Sequence, residues 1–347
     1  MSGGGTKNSG AHGYAAEEAL RTYFISLGYF AVRGAPVRAF GEEVTDVDLW
    51  LYHRHSPLLR ERTNVDIKNK RRAHAMERVL VALGIKEALG LDRCIVATTD
   101  NREAVVHFGR NSGVIVFGGR FVASLQSKHS SPLDRLTEEE LLAGLDFDGL
   151  GKITGHWTER FTSAKGWLLT DLGFDACNRY LEELAGYLDT AAMNPQRRES
   201  GLRLACVTAA FFLISLDYAM ASFAFETVED RRQAMHVGLR FGSDGRERVE
   251  KLAGLASQLA AHVTKSSPNQ YRSAITELFE ESDDSAAALA EFFSKGAIAN
   301  AFLPIAHELE SLAYSKPFRG LSSLGAEARA TIGLLVDYAG VERNRIF

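Results

Sequence analysis

Residues 46–68 read DVDLWLYHRHSPLLRERTNVDIK, two β-type runs joined by a polar turn containing a proline. The first run carries Asp48. The second carries Asp66 and Lys68, two apart and so on one face of a strand. Two carboxylates and an ammonium on neighbouring strands suit metal-assisted hydrolysis of a phosphodiester. That reaction is slow because water is a weak nucleophile and charge builds on the leaving oxygen; a divalent cation eases both. Mg²⁺ takes hard oxygen ligands and keeps several waters, so two or three acidic groups suffice. Asp48 and Asp66 would be side-chain ligands, and the Ile67 carbonyl would add a third oxygen. Lys68 would reach the attacking water or the scissile phosphate, stabilising negative charge or, with a depressed pKa, orienting the water.

Several elements must position these groups. Ala16, Leu20, Phe24 and Leu27 recur at helical spacing from Gly13, and Gly28 is a stop signal. Extended runs follow near 29–40, 45–53 and 62–68. A helix is expected over Arg71–Leu89, with Ala75, Val79 and Leu83 on one face. RCIVATT reads as a buried strand, Asp100 with Glu103 as a capping-box start for a helix through Arg110, and GVIVFGG as a last strand. The alternation after Lys68 implies right-handed βαβ crossovers in a mixed sheet. An α/β domain is therefore expected over 13–125, after a Gly/Ser-rich stretch at 1–12 that reads as a flexible leader.

From about Pro132 helical periodicity takes over. Thr137-Glu138-Glu139-Glu140 marks a helix start, and further helices are expected near 170–192, 199–226, 228–240, 244–264, 269–281, 284–296, 298–314 and 322–339. Residues 132–347 thus read as an all-α domain.

The N-terminal pattern resembles the PD-(D/E)xK nuclease superfamily, with the restriction-endonuclease-like fold, in its methylation-dependent restriction and Holliday-junction-resolvase branch. The matching pieces are GYAAE with Glu17, TDVDL with Asp48, VDIK with Asp66 and Lys68, and the later strand IVATTDN. The likeness covers about residues 13–120. It implies an αβββαβ core, dependence on Mg²⁺ with Mn²⁺ as substitute, and an endonuclease acting on nucleic acid, DNA favoured over RNA, in defence or DNA processing. In the family an acidic residue of the first helix often joins the site. By position that is Glu17, with Glu18 the alternative. The chain departs from the pattern in having Asp66 where the branch frequently has Glu or Gln, and in the long HRHSPLLRER hairpin.

Arg54, Arg60, Arg62, Lys70, Arg71 and Arg72 form a basic group along this stretch, suited to phosphate contacts of low sequence specificity. Residues 1–125 hold 17 Lys/Arg against 13 Asp/Glu, whereas 126–347 hold 23 against 31, a contrast that fits a nucleic-acid-facing front half. Trp50 and Tyr52 share the Asp48 face, either packed on the first helix or stacking a base. The stretch Leu204–Phe225 is apolar, but Arg203 and Asp217 leave only 13 uncharged residues between them. That is too few to span a bilayer, so a buried helix and a cytoplasmic protein without a membrane partner are expected. Three scattered cysteines, with no C-x-x-C pair, argue against a structural zinc site or disulfide framework and fit a reducing compartment. Arg231 and His236 have the spacing of a helical ribonuclease motif. The alternative to an enzyme is an inactive nuclease-fold protein that binds nucleic acid or assembles with partners. The helical domain would serve dimerisation or a protein partner.

Overall fold

The computed structural model describes residues 7–68, 74–128, 134–146, 156–265, 267–281 and 283–347. Its chain divides into two compact units: residues up to Thr170 together with Glu310–Arg319, and Asp171–Leu309 with Gly320–Phe347.

In the first unit, helix α1 (Lys7–Ser26) precedes strands β1 (Phe30–Ala39), β2 (Glu42–Arg54) and β3 (Arg60–Lys68). Then come α2 (Ala75–Ala88), β4 (Arg93–Thr98), α3 (Glu103–Asn111), β5 (Ile115–Phe117) and α4 (Gly119–Lys128). The sheet order is β1-β2-β3-β4-β5, antiparallel from β1 to β3 and parallel from β3 to β5. Short turns permit the antiparallel half, whereas parallel neighbours need crossovers, here supplied by α2 and α3. The β1–β2 turn is Phe40-Gly41, both at positive φ (53° and 85°), as a two-residue hairpin loop of the primed type demands.

Strand alternation sorts the core into two layers. Leu49, Leu51, Val65, Ile67, Ile95 and Ala97 pack with Ala16, Leu20 and Phe24 of α1 and with Val122 and Leu125 of α4. The intervening Cys94 and Val96 face Val79 and Ala82 of α2.

Helices α5 (Glu138–Asp146) and α6 (Trp157–Thr170) complete this unit. Thr137 and Glu140 form the expected reciprocal cap, the Glu140 N–H donating to Thr137 Oγ1 and the Thr137 N–H to Glu140 Oε2. α6 covers the edge strand β1, approaching closely because Gly166 has no Cβ; one built there would lie 2.8 Å from the Pro36 carbonyl oxygen. Lys165, buried beside it, donates to the Arg33 carbonyl and pairs with Glu138.

These contacts correct the expected boundary. The division falls at Thr170/Asp171 rather than between 125 and 132, because α5 and α6 are tied to β1 by buried charge. α1 also begins at Lys7, inside the stretch read as a leader, as propagating an existing helix is cheap. Asp100 does not cap α3 by a box; its carboxylate accepts from the Arg102 N–H and side chain, and the helix starts at Glu103.

The second unit is helical: α7 (Phe174–Met193), α8 (Arg198–Met220), α9 (Val228–Phe241), α10 (Gly245–Thr264), α11 (Pro268–Glu281), α12 (Asp283–Phe293), most of α13 (Gly296–Ala313) and α14 (Ala326–Tyr338). The segment from Arg198 to Phe223 is long and apolar enough to cross a membrane by length and composition, yet 83% of its apolar window is buried inside the structure. Gly201 lets α8 lie against α7, since a Cβ there would sit 2.9 Å from the Tyr187 carbonyl oxygen.

Candidate active site

The ladder between β2 and β3 stops at the pair Leu49–Val65. Beyond it β2 continues beside β1, as far as Glu42 opposite Ala39, and β3 continues beside β4, as far as Lys68 opposite Thr98. The sheet therefore forks at the next position on each strand, which is Asp48 on β2 and Asp66 on β3. A fork leaves backbone donors without ladder partners. Asp48 fills that need with its side chain, Oδ2 accepting from the Ile67 N–H at 2.6 Å.

Asp48 is half-buried, and burial pushes its carboxyl up. The Ile67 hydrogen bond and the nearby Lys68 charge pull the other way, as does Arg78. Asp66 is 5% exposed and takes Arg78 of α2 on both oxygens, with Nε to Oδ2 at 2.9 Å and a terminal guanidinium nitrogen on Oδ1. A bidentate guanidinium–carboxylate pair is among the stronger polar contacts in a protein. Lys68 ends β3 half-buried and, among the described residues, enters no ion pair.

Glu17 reaches the same region from α1. Burial raises its carboxyl; Arg33 opposes this, and the Asp48 charge adds to it. Its Oε2 accepts from the Arg33 guanidinium at 2.8 Å. Arg33 also binds Glu18 and Glu139. Burial works against its charge, but Glu139 and Glu17 hold the guanidinium above its ordinary range. Glu18, the alternative, is buried between Arg33 and Arg21 and serves the core. Asp48 thus feels the charges of Lys68 and Arg78, Glu17 feels that of Asp48, and Asp66 is joined to the group through Arg78.

Hard oxygen donors of this kind fit Mg²⁺ in type: the Asp48 and Asp66 carboxylates and the Ile67 carbonyl. Among the described residues no three His, Cys, Asp or Glu side chains are grouped to hold a metal ion. A cation here would draw on two carboxylates, one carbonyl and water, the sparing ligation that Mg²⁺ accepts.

Of the expected basic rim, the described members Arg54, Arg60 and Arg62 lie away from the fork. β3 rises roughly 3.4 Å per residue, so Arg60 and Arg62 lie about 27 and 20 Å along the strand from Lys68. Arg60 is buried and donates to the Ser56 and Pro57 carbonyls at 2.7 Å, closing its own hairpin. Arg62 binds the Gly90 carbonyl and lies near Asp92. Arg54, opposite Arg60, shares that far end. Lys70, Arg71 and Arg72 lie outside the described residues.

Trp50 and Tyr52 are fully buried, which excludes base stacking. They alternate with Leu49 and Leu51, the residues that meet α1, and so sit on the other face of the sheet. Arg231 and His236 are five apart on α9, about 140° around the helix axis. Arg78 is the residue that sequence reasoning passed over. Its one signal is a cation off the apolar face of a helix, which usually marks solvent.

No family model matches the chain, and neither does any curated protein or solved structure.

Proposed function

We propose that the first unit is a metal-dependent nuclease that hydrolyses phosphodiester bonds at the β2/β3 fork, with DNA favoured over RNA. The observation that carries this reading is the fork itself: two strands part at Asp48 and Asp66, with Lys68 next on the Asp66 face. The order helix, three antiparallel strands, helix, parallel strand supports a restriction-endonuclease-like core. Asp48, Asp66 and the Ile67 carbonyl would hold Mg²⁺ or Mn²⁺. When bound, the cation lowers the pKa of water and neutralises charge on the phosphate. Asp48 is kept in place by the Ile67 N–H. Lys68 brings a positive charge to the scissile phosphate or orients the attacking water, and Glu17, oriented by Arg33, supports the site from α1. Such a hydrolase would work in the cytoplasm.

A second reading, a nuclease-fold module that binds or assembles without cutting, draws on the engagement of both Asp66 oxygens by Arg78. Cleavage of plasmid, single-stranded DNA and RNA with Mg²⁺ or Mn²⁺ separates the two. Wild type should cut at least one substrate, and Lys68→Ala should lose at least about a hundredfold in rate. A wild-type protein inert with both cations, or a Lys68→Ala variant of equal rate, decides for the second reading.

A further inference from the structure

Arg78 sits in the first turn of α2, where a cation opposes the helix dipole. Among the described residues its ion pair is with Asp66, which it grips through both oxygens, while its charge also bears on Asp48. Asp66 is buried and Arg78 is 26% exposed at the side chain, so the arginine is the member of the pair that meets solvent. Any cation approaching Asp66 must contend with a positive charge already in contact with it. An uncompensated buried carboxylate is costly, so the resting protein needs this counter-ion. A divalent ion supplies the same compensation and removes the need.

We propose that Arg78 is the gate of the Asp48/Asp66 site, a resident counter-ion that a divalent cation must displace from Asp66 before it can bind. The inference rests on the nuclease reading of the fork and adds its control: loading is an exchange of one cation for another. Bond breaking is confined to the Arg78–Asp66 hydrogen bonds. The displaced side chain swings outward, toward the solvent its exposed part already faces.

Direct titration of Mn²⁺ into the full-length protein, by calorimetry or electron paramagnetic resonance, reads this without any substrate. Arg78→Gln removes the charge yet keeps an N–H for Asp66, and should tighten Mn²⁺ binding by at least about tenfold. Arg78→Lys keeps the charge and should stay within about threefold of wild type. Asp66→Asn should abolish the binding in either background. An independent reading needs no variant: phenylglyoxal modification of Arg78 in wild type, followed by peptide mass mapping, should speed up as Mn²⁺ is added. If binding depends on Asp66 but is the same with Arg and Gln at 78, or if Mn²⁺ leaves the modification rate of Arg78 unchanged, the gate is overturned while the site stands. If no variant shows Asp66-dependent binding, the metal site and the gate fall together.

Discussion

At the scale of single residues, the fork holds its acids at a cost to folding. Asp48 and Glu17 both have carboxyls raised by burial. For an acid whose folded value lies above the unfolded one, the penalty is absent while both states keep the proton. It grows as pH rises through the ordinary carboxylate range toward the raised value, so stability falls with rising pH across that window. Asp48→Asn keeps an oxygen for the Ile67 N–H and removes the charge. It should raise stability at pH 7 by roughly 0.5–2 kcal/mol, with a smaller gain at pH 4, as urea titrations at the two pH values would show. A variant less stable than wild type at pH 7 contradicts the argument. The types and two-residue spacing of Asp66 and Lys68 were legible in the sequence because a strand alternates simply. Arg78 was not, since its partner lies twelve residues earlier on a different element. Arg60 was misread for the opposite reason: an arginine beside a turn looks solvated until the carbonyls that capture it are seen.

At the scale of elements, the strands and long helices announced themselves through periodicity. Expected helices near 228–240 and 269–281 correspond to α9 and α11 within one residue at each end. α6 escaped notice because its pattern is broken where it matters. Lys165 and Gly166 lie on its buried face, and neither reads as core until Arg33, Glu138 and Pro36 are placed against them. The same closeness makes a prediction. Gly166→Ala would push a methyl into the Pro36 carbonyl and should destabilise the protein by about 1–3 kcal/mol, seen as a lowered thermal midpoint. An unchanged midpoint would mean α6 moves away from β1 freely. α4 was missed too, as GRFVASLQSK begins on the second of the two glycines that read as the close of the last strand.

At the scale of the molecule, the first unit is not continuous in sequence. Glu310, at the end of α13, binds Arg21 of α1 and Arg135, and the segment 314–316 pairs with 134–136 through the Leu136 N–H to Tyr314 and the Lys316 N–H to Asp134. Both arginines pack on the Tyr314 ring. Glu310→Ala would leave Arg21 and Arg135 short of a buried counter-charge and should cost about 3–5 kcal/mol in a denaturant titration. A loss below about 1 kcal/mol would show that Glu18 alone satisfies Arg21 and that water reaches Arg135. Composition separates α/β from helical sequence, but it carries no sign that a stretch near 310 belongs with α1. That pairing is a matter of charge complementarity across 289 residues.

The return of Glu310–Arg319 also sets a clock on biosynthesis. The chain is made from its N-terminus at about 5–20 residues per second, so Glu310 follows Thr170 off the ribosome by roughly 7–30 s. During that interval Asp48, Asp66 and Lys68 have been synthesised, but the acid that closes the Arg21–Arg135 network has not. A nascent or prematurely ended chain therefore carries every residue of the fork without the closing strap of its scaffold. The topology makes synthesis through Arg319 a condition for a finished first unit.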